Sequence, residues 1–95
     1  MSKDRAKYFE GVTPTGFRYS VERDVVDDME LIDLLADLED GSISALPKIL
    51  LKLLGKKQKD DLYQHCLDKE SGRVPSSQVM EEVKAILTDP NLKKS

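Results

Sequence analysis

Residues 45–57, ALPKILLKLLGKK, combine a dense apolar run with several lysines. Pro47 falls in the first turn of a predicted helix, where its missing N–H costs little, and Gly55 ends or bends that helix. At ~100° per residue, the apolar side chains from Leu46 to Leu54 span an arc of about 200°, whereas an ordinary surface helix needs little more than 100°. The segment therefore predicts a helix over 45–54 with an unusually wide apolar face.

Three further helices are predicted from apolar periodicity and terminal signals. Asp27 stands three residues before Glu30, as in a capping box, and Gly41 provides a stop after the apolar run. The residue before Pro75 is restricted to extended backbone, and the serines that follow begin the last helix. The predicted helices cover 27–40, 45–54, 57–69 and 76–88.

The N-terminal part of the chain has a different period. Residues 17–21 alternate apolar and polar side chains, which is typical of a half-buried strand, and glycine and proline precede them. Residues 8–23 therefore predict a short strand or hairpin, and 1–7 and 89–95 are expected to be flexible ends. The expected fold is mainly all-α: a small four-helix domain over 24–88 with a short N-terminal β-strand or hairpin.

Composition excludes several functional classes. The 95 residues suffice for one domain, and the net charge of −3 argues against nucleic acid as the main partner. The single cysteine suits a reducing cytosol, because it excludes an internal disulfide. No apolar stretch approaches the ~20 residues of a membrane span, and the charged N-terminus is unlike a signal peptide.

No motif predicts catalysis, a metal or a cofactor. His65 and Cys66 are the sole residues of their types, and neighbouring helical side chains point ~100° apart. A nucleophile pair or a metal site would need partners that the chain does not supply. The turn at 37–44 resembles a calcium loop, but apolar residues and a proline occupy ligand positions. We expect a protein that is not an enzyme and carries no cofactor.

The apolar helices instead predict protein contacts. The helix predicted at 27–40 has an apolar face nearly as wide as that of 45–54. The two remaining helices cannot readily cover both faces, so leftover apolar surface should meet another protein or a second copy of this one. The lysines at 48 and 52 would let the isolated peptide lie on a membrane, but a ten-residue helix between capped helices favours a protein partner. The candidate partner-binding residues are Met29, Leu34, Leu51, Leu54, Phe17 and Tyr19.

Three segments of the chain resemble the small tail assembly chaperones of long-tailed (siphovirus-type) bacteriophages. They read DMELIDLLADLED (28–40), LLGKKQKDDLYQHC (53–66) and GRVPSSQVMEEVKAIL (72–87), and an F-x-Y-x-V strand at 17–21 precedes them. The resemblance covers about residues 17–87 and includes no catalytic motif. It implies a protein of the infected host's cytoplasm that is absent from the mature virion.

The resemblance also implies partners. Such chaperones bind the tape measure protein, keep it soluble and help the major tail tube protein polymerise around it, and we expect a homo-oligomer. Some have a longer form made by ribosomal frameshifting, for which the final LKKS would be a suitable position. The alternative interpretation is a small cytosolic helical regulatory or adaptor domain that acts through protein–protein contacts. The expected partners include neither nucleic acid nor a membrane, and salt-dependent DNA binding would favour the regulatory domain.

Overall fold

The computed structural model describes residues 7–92, so most of the flexible end predicted at 1–7 and the last three residues of the one predicted at 89–95 lie outside the described residues. Within 7–92 the protein forms an N-terminal β-hairpin followed by three α-helices, with a short 3-10 helix between them. The elements are β1 (Tyr8–Val12), β2 (Arg18–Glu22), the 3-10 helix (Arg23–Asp27), α1 (Met29–Glu39), α2 (Ala45–Cys66) and α3 (Ser76–Leu87).

The predicted fold class, a mainly α four-helix domain, is wrong. The described residues form a small mixed α/β domain with three helices and a two-stranded antiparallel sheet. The two helices expected on either side of Gly55 follow one another directly as the two halves of α2, which is kinked at Gly55, where the backbone is non-helical with φ 80° and ψ 168°. Glycine has no Cβ, so it reaches this backbone conformation without a steric penalty. The chain returns to helical geometry after it.

The hairpin is part of the core rather than an appendage. β1 and β2 pair in antiparallel register, with Phe9 opposite Val21 and Gly11 opposite Tyr19. Phe17, Tyr19 and Val21 all have exposed fractions of 6% or less. Two strands alone are marginal in water, so this burial against the helices is what stabilises them.

The ends of α1 are set by a carboxylate and a glycine. Its N-cap is Asp28, not Asp27 as predicted: the Asp28 carboxylate accepts a hydrogen bond from the Glu30 backbone N–H at 2.9 Å. That bond, followed by the bond from the Lys52 ammonium, lowers the pKa of Asp28 below its ordinary value. At the other end the backbone N–H groups of Gly41 and Ser42 bond back into the last turn, as in a Schellman motif.

Helix α2 is the centre of the molecule. The hairpin strand β2, α1 and α3 each pack against it. Its first half supplies the largest block of buried side chains, and the second half contributes Leu62. The core consists of Phe17, Tyr19, Val21, Leu31, Ala45, Leu46, Ile49, Leu50, Leu53, Leu54, Leu62, Val79, Val83, Ile86 and Leu92.

The segment after α3 is docked, although the sequence predicts a flexible tail from residue 89. Leu92 is 1% exposed, and the Arg23 guanidinium donates a hydrogen bond to the carbonyl of Asn91 at 3.2 Å. The Tyr19 hydroxyl donates to Asp89 at 3.0 Å. Burial, and then this carboxylate, raise the pKa of Tyr19 to about 12. Residues 89–92 therefore connect the hairpin to the end of α3.

Candidate protein-binding site

An apolar concave surface lies between α1 and α3. Both helices pack against α2, and a groove of about 460 Å³ separates their outer sides. Leu35 and Leu38 line it from α1, while Met80, Val83 and Leu87 line it from α3. Here this surface is called the α1–α3 groove, and its rim consists of Glu39, Ser77, Glu81, Lys84 and Thr88.

The groove exists because the apolar stripe of α3 is wider than the surface of α2 that it meets. Val79, Val83 and Ile86 are buried in the core at 3% exposure or less. Met80 and Leu87 are seven residues apart, so they lie above one another at the edge of this stripe. They remain half-buried, as do the leucines on the α1 side. These positions pack partly on the core and partly line the groove.

The groove has a charged rim and adaptable side chains. Glu81 and Lys84 form an exposed ion pair on α3 at 3.6 Å, and Glu39 stands on the α1 side. Met80 contributes an unbranched, polarisable side chain, which suits surfaces that accommodate more than one apolar sequence. The volume of the groove falls within the roughly 300–1,000 Å³ range of ligand-binding clefts. The arrangement fits the apolar face of an amphipathic helix, whose polar side would remain in water.

None of the six candidate residues lines this groove, and four of them belong to the core or pack against it. Phe17, Tyr19 and Leu54 are core residues with exposed fractions of 4–7%. In this conformation they offer little surface area to a partner. Leu34 is half-buried against the core. The remaining two, Met29 and Leu51, are exposed, by 62% and 48%.

The two exposed candidates lie on different helices. Met29 lies on the outer side of α1, where Ile32 is 42% exposed. Leu51 lines a separate depression of about 330 Å³ with Tyr8, Gly55 and Gln58. Sequence analysis missed the groove because it followed the widest apolar arc. The available signal was the position of the apolar side chains at the edge of the α3 stripe.

A polar cluster fastens the hairpin turn to the helices. Thr15 Oγ1 donates to Glu82 Oε2 at 2.6 Å and lies 2.9 Å from His65 Nε2. Glu82 is 2% exposed, so its carboxylate needs such a donor. The hydroxyl lies between the imidazole and the carboxylate and gives its proton to Glu82. A nucleophilic triad has the opposite order, with the imidazole in the middle.

Cys66 is a half-buried thiol beside this cluster. Burial, and then the charge of Glu82, raise the pKa of the Cys66 thiol. A raised pKa keeps the sulfur protonated, which lowers its reactivity as a nucleophile. Among residues 7–92 no group of three or more histidine, cysteine, aspartate or glutamate side chains is arranged to hold a metal ion. The helices in the same range include none that is long and apolar enough to cross a bilayer.

Comparison of the chain with protein-family models, curated proteins and solved structures finds no match.

Proposed function

We propose that this protein is a tail assembly chaperone of a long-tailed bacteriophage. It binds the tape measure protein, keeps it soluble and promotes assembly of the tail tube around it in the host cytoplasm. The α1–α3 groove is the observation that supports this proposal, because a chaperone for a long helical chain needs open apolar surface. The resemblance of residues 17–87 to such chaperones supplies the identity of the partner.

The groove suits transient binding of many similar segments. Its walls are leucine, methionine and valine side chains, which contact an apolar helix face without requiring one sequence. The net charge of −3 and the charged rim oppose aggregation of the chaperone itself. In this mechanism the apolar stripe of a tape measure helix lies between α1 and α3. Release follows when the tube subunits cover the same stripe.

Co-expression with the tape measure protein tests the proposal through a matched pair of substitutions. Met80→Glu places a carboxylate in the groove, whereas Met29→Glu makes the same change at a helical position that is 62% exposed. We expect Met80→Glu to abolish co-purification and leave the tape measure protein in the insoluble fraction. Met29→Glu should retain both properties. Circular dichroism and thermal unfolding of each variant confirm that the fold is intact.

The opposite result would reject the groove as the binding surface. If Met29→Glu abolished binding while Met80→Glu retained it, the outer side of α1 would be the site. Leu51→Glu is the corresponding test of the sequence-based candidate on α2. If the wild-type protein neither co-purified with the tape measure protein nor kept it soluble, the chaperone proposal itself would be wrong and an adaptor role would be favoured.

A further inference from the structure

The two edges of the β-hairpin differ in their hydrogen bonding. Bonds from Thr13 N to the Phe17 carbonyl and from Arg23 N to the Lys7 carbonyl, both 2.9 Å, extend the ladder beyond the two strands. In this register the odd-numbered residues of β1 bond to β2. The backbone N–H and C=O groups of Tyr8, Glu10 and Val12 therefore point away from β2, along the outer edge of β1.

The outer edge of β2 is already occupied. The Gln58 side chain accepts a hydrogen bond from Ser20 N at 2.7 Å and donates one to the Ser20 carbonyl at 2.8 Å. This amide takes the place of a neighbouring strand and protects that edge. For β1, the hydrogen bonds within the described part of the chain leave the outward backbone groups of Tyr8, Glu10 and Val12 without a protein partner.

The side chains along the β1 edge define what could pair there. Tyr8 and Val12 are 53% and 52% exposed, and they lie on the same face of the strand as Glu10 between them. Glu10 takes part in none of the ion pairs formed among residues 7–92. The edge therefore presents one unpaired carboxylate between two exposed apolar side chains.

We infer that β1 binds an extended segment of a partner protein as a third, antiparallel strand, with the pattern apolar–x–basic–x–apolar. The side chains directly opposite one another in such a pair are about 4.5–5.5 Å apart at Cβ. A lysine or arginine opposite Glu10 neutralises its charge, and the flanking apolar residues cover Tyr8 and Val12. The backbone bonds supply affinity, and the central charge selects the segment.

A second copy of the chain fits this edge poorly. The antiparallel pairing that uses all three outward residues places Glu10 opposite Glu10 of the second copy. Like charges directly opposite one another destabilise a strand pair. The proposed site shares no residue with the α1–α3 groove. It therefore goes beyond the chaperone proposal, and each of the two proposals can be rejected without rejecting the other.

Titration of the 15N-labelled full chain tests the inference. The probe is the acetylated, amidated peptide Thr-Val-Thr-Lys-Thr-Val-Thr at millimolar concentration, in which the two valines and the lysine lie opposite the edge residues. We expect chemical-shift changes and slowed hydrogen exchange at the amides of Tyr8, Glu10 and Val12. The same peptide with glutamate in place of lysine should bind roughly fivefold more weakly.

Two substitutions make the test specific. Glu10→Pro removes one outward N–H and fills the edge with its ring, yet it leaves the bonds of Phe9 and Gly11 to β2 intact. It should abolish binding. Glu10→Lys should reverse the preference between the two peptides, and this reversal does not depend on the fold tolerating proline. Three results would overturn the inference. They are an absence of shift changes at the wild-type edge amides on adding the lysine peptide, binding that persists in Glu10→Pro, and an unreversed peptide preference in Glu10→Lys.

Discussion

The first half of α2 and the helix α3 differ in how completely their apolar faces are covered. The coverage does not follow the widths that their sequences predict. The apolar arc of 45–54 is the widest in the chain, yet Leu51 is its one strongly exposed apolar side chain. The apolar stripe of α3 is narrower, yet its edge forms a wall of the α1–α3 groove. The width of an apolar face therefore does not tell how much of it remains exposed.

The number of neighbours explains the difference. Helix α2 is surrounded by α1, α3 and strand β2, which together cover its wide face. Helix α3 packs mainly on α2, so the edge of its stripe has no equivalent cover. The expectation that α2 retains leftover apolar surface is wrong for most of the arc, because α1, α3 and β2 together cover it. At the edge of α3 that faces the groove, Met80 and Leu87 remain half-buried instead.

The largest expected effect comes from truncating the covered face of α2. Leu50 is 0% exposed, so Leu50→Ala should lower the free energy of unfolding by about 2–5 kcal/mol. Met80→Ala, at the half-buried edge of α3, should cost about 1 kcal/mol or less. Urea unfolding of both variants measures the contrast. Equal losses would show that α3 is as well covered as α2.

Gly55→Ala should have an intermediate effect by disturbing the bend that aligns the two halves of α2. The Gly55 backbone has φ 80° and ψ 168°, and nothing lies within 4 Å of an added Cβ. The cost is therefore backbone strain alone, about 1–3 kcal/mol. Thermal and urea unfolding measure it, with Lys56→Ala at the neighbouring exposed position as the control. If both substitutions were equally mild, the bend would not be required for the fold.

The smallest effect is a change in alkaline stability, since Tyr19 helps the hairpin to cover α2. Its pKa is raised to about 12 from an ordinary 10.0. The stabilisation from the neutral phenol is complete below pH 10 and is lost as the pH rises toward 12. Tyr19→Phe should make stability less dependent on pH in this window. Tyr8→Phe, at an exposed position, should keep the wild-type dependence, and identical curves for all three proteins would contradict this role.

Local sequence signals identified the positions of the strands and helices better than the way in which these elements pack together. The alternation of 17–21 and the period of 29–38 reflect properties of single segments, and a strand and a helix form there. The Asp28 cap was predicted one residue too early, because adjacent aspartates offer two possible caps. The fold class was wrong, because a glycine that can end a helix can also bend one, and only packing decides which occurs.

The candidate residues show the same limit. Phe17, Tyr19 and Leu54 have the apolar character of a binding surface, but that character serves the core equally well. Met80 and Leu87 were visible as apolar side chains at the edge of a stripe. Nothing in the sequence showed that α1 would pack next to these two side chains without burying them. The exposed fraction of an apolar side chain depends on elements distant in sequence.

The sequence by itself determined the positions of the hairpin and helical segments, the acidic charge and the apolar faces, because these follow from local backbone preference and side-chain chemistry. Only the tertiary structure decided that α2 lies at the centre, that Gln58 closes one strand edge while the other remains open, and that a groove separates α1 from α3. These features depend on which surfaces meet, and contacts between distant segments are set by packing of the whole chain.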